Sequence, residues 1–158
     1  LNYQMKKILV FLVLNSFLFL NNCGYESIYS KQSGNFHIKN IEVKTNDEIN
    51  YKIKNGLKIF SNSNSKNKYD LEINALKSIK IVSKDSKGDP KIYQMNVKME
   101  VKLIENYNVI KEINFEEYFN YNNNSNKFEL KLYEKNIEDN LIEKNIENLT
   151  FFISSIKW

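Results

Sequence analysis

Tyr93-Gln94-Met95-Asn96-Val97-Lys98-Met99-Glu100-Val101-Lys102-Leu103 alternates apolar and polar residues without a fault. In an extended chain successive side chains point to opposite faces, so Tyr, Met, Val and Leu line one face and Gln, Asn, Lys and Glu the other. A helix of 3.6-residue period would scatter these residues around its circumference. The stretch is therefore a strand with one dry and one wet face, the pattern of an antiparallel sheet covered on one side. Upstream, Tyr69, Leu71, Ile73, Ala75, Ile79 and Ile81 keep the same period, with Lys77 the exception, and Lys84 to Lys91 form a turn marked by Gly88-Asp89-Pro90. Downstream, Glu105-Asn106-Tyr107-Asn108 is a hairpin turn. The chain then resumes as a strand from Val109 to Tyr121 through Ile113, Phe115 and Phe119, and Glu117 breaks the alternation and suggests a bulge. These three strands make an antiparallel meander.

Helical periods flank it. Phe36 and Ile38, then Ile41 and Val43, alternate with one shift, as in an irregular or edge strand. Thr45-Asn46-Asp47-Glu48 has capping-box spacing, with Thr45 expected to accept from the Glu48 amide. Ile49, Ile53, Leu57 and Phe60 then follow on one helical face. Ser61 to Lys68 holds only Ser, Asn and Lys and reads as a loop. At the other end Asn126 with Glu129 can cap a helix whose stripe is Leu130, Tyr133, Ile137, Leu141, Leu149, Ile153 and Ile156. Asn145 interrupts that stripe. Unbroken, the helix would be about 45 Å long, so a bend or break near Asn145 to Asn148 is expected. The order β-α-β-β-β-α predicts an α+β two-layer sandwich, two helices packed on one face of a four-stranded mixed sheet.

Composition limits the chemistry. The 158 residues include one Cys, one His, one Pro, four Gly, 26 Asn and 23 Lys with no Arg. One cysteine makes no internal disulfide and no Cys-rich zinc site. One histidine without a serine or cysteine motif argues against a His-based catalytic centre, and no phosphate-cradling glycine motif occurs. A net charge of +4 is modest, and no nucleic-acid partner is expected. The Lys, Asn and Ile bias looks like that of an AT-rich genome, so individual lysines and asparagines are weak evidence of function. No cofactor or metal is implied, and the chain is not expected to be an enzyme.

The N-terminus reads as an export signal. Met5-Lys6-Lys7 precedes Ile8 to Leu20, thirteen residues apolar except for Asn15 and Ser16. As a helix this run spans roughly 20 Å, short of the roughly 30 Å bilayer core. Leu1 to Gln4 lie before Met5, which reads as the initiator. Cys23 stands just past the run, where bacterial lipoproteins carry their lipidated cysteine. Leu20 suits the −3 position, and Asn22 at −1 departs from the usual Gly, Ala or Ser. Acylation by palmitate-like chains would anchor the protein in the membrane through Cys23. Gly24 is not the Asp that retains such lipoproteins at the inner membrane, so the expected place is the periplasmic face of the outer membrane. The expected domains are a lipoprotein-type signal peptide over 1–22, a lipidated tether over 23–35 and the α+β domain over 36–158. Removing 1–22 takes away Lys6 and Lys7 and no acid, so the formal charge falls from +4 to +2.

Within the domain, His37 reads as an ordinary strand histidine. Glu116-Glu117 and Glu138-Asp139 are neighbours whose side chains diverge, so they read as solvated charge rather than a catalytic carboxylate pair. Lys84, Lys87 and Lys91 crowd one turn, with Asp85 and Asp89 between them. Such a turn is either a solvated loop or a contact for anionic groups such as lipid phosphates, with Lys84 and Lys87 as the candidates. The aromatic and Asn-rich stretch Phe115 to Asn126 is a candidate interface.

Cys23-Gly24-Tyr25-Glu26-Ser27-Ile28-Tyr29 resembles the lipidated start of the LPS-assembly lipoprotein family LptE, also called RlpB. Tyr93-Gln94-Met95 running into Val101-Lys102-Leu103-Ile104 resembles that family's third strand. The Phe-rich strand Phe115 to Tyr121, the Asn-rich loop and the final helix from Lys127 follow in the family's order. The resemblance spans nearly all of the chain after Cys23. It implies a non-catalytic plug inside the LptD β-barrel of the outer membrane, assisting barrel assembly and delivery of lipopolysaccharide to the outer leaflet. It also implies lipopolysaccharide contacts through basic residues in the loop between strands two and three and near the final helix, but only Cys23 carries over residue by residue. A lipid-binding carrier or an accessory factor of another envelope machine is the alternative.

Overall fold

The computed structural model describes residues 36–62 and 65–156. The expected signal peptide, Cys23 and the tether lie outside the described residues. The elements are β1 (Phe36–Val43), α1 (Glu48–Leu57), a 3-10 turn (Lys58–Asn62), β2 (Asn67–Lys84), β3 (Pro90–Glu105), β4 (Asn108–Asn122) and α2 (Lys127–Ser155). One four-stranded sheet runs β1-β2-β3-β4, with β1 parallel to β2 and the other pairs antiparallel. The expected mixed sheet under two helices is what forms.

The unbroken alternation of β3 has a direct consequence in the core. Met95, Val97, Met99, Val101 and Leu103 are all buried, and the polar residues between them face outward. Opposite lie Tyr69, Leu71, Ile73 and Ala75 of β2, Ile53 and Leu57 of α1, and Leu149 and Ile153 of α2. Gly56 marks the close approach of the helices: a Cβ there would lie 2.6 Å from Ile146 Cδ1. The turn from β3 to β4 is tight, with Asn106 and Tyr107 both at positive φ (49° and 65°), a pattern that matches the strand twist. The shift in β1 falls between Ile38 and Asn40, and β1 is an edge strand, as its pattern suggested.

Four local expectations are corrected. Asp47, not Thr45, caps α1: its carboxylate accepts from the Asn50 amide at 2.9 Å, while Thr45 Oγ1 donates to Asp47 Oδ2 at 2.8 Å. That amide bond is the leading cause holding the Asp47 carboxyl below its ordinary range. β4 has no bulge at Glu117, since its only shift against β3 lies between Leu103 and Ile104. Glu117 stays in register on the covered face and accepts from Asn148 Nδ2 at 2.8 Å. α2 runs without a break through Asn145, whose fully buried side chain donates to the Val97 carbonyl at 3.1 Å. Ile79 and Ile81 are 42% and 47% exposed despite their in-phase positions, because β2 outruns the helix that covers its first half.

Candidate functional site

The β2–β3 turn is built by its own acid. The Asp85 carboxylate accepts from the amides of Lys87 and Asp89, each at 2.9 Å. Asp85 N donates to the Asp89 carbonyl at 2.8 Å, and Gly88, at φ 88°, donates to the Asp85 carbonyl at 3.1 Å. With the Asp85 carboxylate occupied by the turn's own amides, Lys84 and Lys87 are exposed, and among the described residues neither pairs with a carboxylate.

The loop from β4 into α2 is tied to this turn. Asn123 donates from its backbone to the Lys91 carbonyl at 2.9 Å and from Nδ2 to the Pro90 carbonyl at 2.8 Å. Asn126 caps α2 as expected, accepting from the Phe128 and Glu129 amides at 3.1 and 3.3 Å. Beside the tie is an open cleft of about 810 Å³ lined by Ile92, Tyr121, Asn123, Ser125, Leu130 and Tyr133, among others. Tyr121 orders it by stacking on Tyr93 at 5.6 Å, meeting Tyr133 edge-on at 6.2 Å and donating to Glu134 at 2.7 Å. Burial first, then the Glu134 carboxylate, pushes the Tyr121 phenol up, so it stays a donor across the physiological range.

One end of the molecule thus offers unpaired ammonium groups, side-chain amides and aromatic rings. Such a set can hold anionic oxygens and a flat or apolar surface. The structure joins the lysine turn to the Asn120–Asn124 part of the second candidate stretch. It places Phe115 elsewhere, packed edge-on against Phe152 at 6.4 Å. The Asn123 tie carries no sequence signal, because it joins residues 33 apart. His37 lies in β1 opposite Lys68, away from this end.

Glu138 is not solvated charge. It is 6% exposed and meets two lysines: Lys52 of α1 at 2.7 Å, and Lys77, the residue that broke the β2 pattern. Lys52 also reaches Asp139 at 2.8 Å. Burial alone would raise the Glu138 carboxyl, but hydrogen bonds from Lys52 and Lys77 outweigh it and hold the group below its ordinary range. A carboxyl lowered on folding contributes stability above its unfolded pKa, which is lost as pH falls through the folded pKa. Glu138→Gln should therefore cost about 2 kcal/mol at neutral pH, between the values for exposed and buried pairs, and much less near pH 3. Urea unfolding at both pH values checks this; a cost independent of pH would show that the ion pair is not the cause.

No protein-family model matches the sequence, and no curated protein matches it. Solved structures do share the fold. The rare lipoprotein B of Shewanella oneidensis superposes with a TM-score of 0.52 at 10% identity, over 72% of this chain and 95% of that one. The fold is that of rare lipoprotein B. A minor lipoprotein from Acinetobacter baumannii shares it with a TM-score of 0.57 at 13% identity, over 75% of this chain and 90% of that one. Lipoprotein B from Nitrosomonas europaea shares it at 0.53 and 11%, over 84% and 94%. At these identities the common property is the fold. Among the described residues of this rare lipoprotein B fold, no helix is long and apolar enough to cross a membrane.

Proposed function

We propose that this chain is an outer-membrane lipoprotein of the LptE type. It seats in the lipopolysaccharide-transport β-barrel LptD, assists barrel assembly and supports insertion of lipopolysaccharide into the outer leaflet. The carrying observation is the fold shared with rare lipoprotein B over nearly the whole length of that protein, joined to a cysteine placed directly after a short apolar run. The role is non-enzymatic: the carboxylates Glu138 and Asp139 are engaged by Lys52 rather than directed at a substrate. Acylated Cys23 supplies the membrane anchor, on the periplasmic face. The exposed lysines Lys84 and Lys87 contact lipopolysaccharide phosphates from the end of the domain that also carries the aromatic cleft.

A carrier would need an apolar cavity able to bury acyl chains. Here the space between helices and sheet is filled by Val97, Met99, Leu103 and Leu149, all fully buried, which favours the barrel partner. Tagged protein purified from detergent-solubilised outer membranes should bring down one large β-barrel in equal amount, and depletion should leave misassembled barrel and less surface lipopolysaccharide. Normal barrel maturation after depletion would sink the reading. The lysines have their own test. Lys84→Glu with Lys87→Glu should weaken lipopolysaccharide binding about tenfold, roughly 1.4 kcal/mol, with an unchanged melting temperature. Unchanged affinity removes this turn from the contact.

A further inference from the structure

β1 and β2 differ greatly in length. β1 has 8 residues and pairs with β2 only from Asn67 to Ile73, whereas β2 runs 18 residues to Lys84. The ladder on that side ends in an ordered way. Lys44 N donates to the Ile73 carbonyl at 3.0 Å. At the next position on this side, Asn50 stands in for a strand. Its Oδ1 accepts from Ala75 N at 2.9 Å and its Nδ2 donates to the Ala75 carbonyl at 3.1 Å.

Beyond Ala75 nothing continues the ladder among the described residues. In a strand the two main-chain groups of one residue point to the same side, and the side alternates along the chain. Ile73 and Ala75 use theirs toward β1 and its stand-in, so Lys77, Ile79 and Ile81 aim their N–H and C=O groups at the open edge. The side chains there are unusually apolar for an edge: Leu76, Ile79, Ile81 and Val82 are 54%, 42%, 47% and 50% exposed.

We propose that this edge of β2, Lys77 to Ile81, is a docking site for one extended segment of a partner protein, added as a fifth strand, with apolar residues alternating with acidic ones. The alternation is set by the edge, since alternate added side chains would lie beside Ile79 and Ile81 on the helix side of the sheet, where β2 has outrun its covering helix. The acidic requirement is set by charge. Leu76 to Lys84 contains no acid; Lys77 lies on the helix side and is taken up by Glu138, so the outer positions of an added strand face exposed Lys80, with exposed Lys84 at the end of β2. A second copy of this chain is disfavoured, because joining two such edges gathers Lys80 and Lys84 of both copies with no acid between Leu76 and Lys84 to offset them. The docking edge does not depend on the barrel reading; it fixes the chemistry of the added strand, whichever protein carries it.

The probe is a blocked eight-residue peptide of alternating valine and glutamate, added to the full chain in detergent micelles. Amide exchange at Lys77, Ile79 and Ile81 should slow about tenfold or more, while Leu76 and Ser78, whose amides face β3, stay unchanged. Ile79→Pro removes only a donor that points out of the sheet, which an edge tolerates, and should abolish the slowing without lowering the melting temperature. Should that variant unfold, a peptide N-methylated at alternate residues must lose the effect on the unaltered chain. Absence of slowing at millimolar peptide overturns the proposal. So does equal slowing by a valine–lysine peptide, or slowing that grows with protein concentration alone, which would make a second copy the occupant.

Discussion

Asn50→Leu is expected to destabilise the domain by roughly 2–5 kcal/mol, more than the loss of the Glu138 ion pairs. Asn50 is fully buried between α1 and the end of the β1–β2 ladder. Its Nδ2 donates to Thr45 Oγ1 and Asp47 Oδ1, both at 2.8 Å, as well as to the Ala75 carbonyl, and its Oδ1 accepts from Ala75 N. Leucine fills a similar volume, so no cavity accompanies the change. What remains is an N–H and a C=O of Ala75 buried without partners, at about 1–3 kcal/mol each. The cap itself survives, because the Asp47 bond is to the backbone amide of residue 50. The loss should therefore appear as a lower urea midpoint with an unchanged m-value. A cost below about 1 kcal/mol would mean that water reaches Ala75 once the amide is gone. Asn50→Asp should do no better. It keeps an acceptor for Ala75 N–H but sets a carboxylate against the Ala75 carbonyl and Asp47.

Asn50 also shows where the sequence is silent. The alternation of β3 was legible because each apolar residue has the same task, and all of Met95 to Leu103 on that face are buried. The polar residues inside the sandwich follow no period, because each is defined by a partner far along the chain. Lys77 and Glu117 break their strands' patterns, and each is answered from α2, by Glu138 and Asn148. Asn145 looks like a helix breaker until the layers are stacked and the Val97 carbonyl lies beneath it. The Nδ2 bond across the interface holds Asn145 in an unbent helix, although its Oδ1 is buried without a partner among the described residues. The cap is ambiguous in the sequence for a simpler reason: Thr45 and Asp47 are both good cap residues, and spacing alone does not choose between them. Ile79 and Ile81 have the right phase for the core, but phase does not tell how far a covering helix reaches. For the candidate site, Lys84 and Lys87 were legible as a cluster in a turn. The neighbouring cleft was not, since it depends on Asn123 binding back to Pro90 and Lys91.

Cys23→Ser should have the largest effect on where the protein resides: complete loss of acylation and transfer of most of the chain from membrane to soluble fractions. Serine has no thiol to form the thioether that would carry a diacylglycerol in the proposed lipoprotein. The anchoring energy scales with chain length, at about 0.8 kcal/mol per buried methylene, and stable attachment takes at least two chains. Nothing in the described domain offers a helical substitute. The remaining apolar run, Ile8 to Leu20, has thirteen residues, fewer than the roughly 20 that a membrane-spanning helix needs, a poor anchor if retained. Mass spectrometry of the N-terminal peptide and fractionation separate the possibilities. An acylated fragment beginning at Cys23 in the unaltered protein, absent from the variant, fits the lipoprotein reading; identical mass and identical fractionation in both would refute it. The substitution should also slow barrel assembly without touching the domain's stability. A tether confines the domain to the membrane surface and raises its effective concentration at a partner embedded there. If so, overproducing the soluble variant should partly restore barrel maturation. Failure at any concentration would instead mean that the acyl chains themselves take part in the contact.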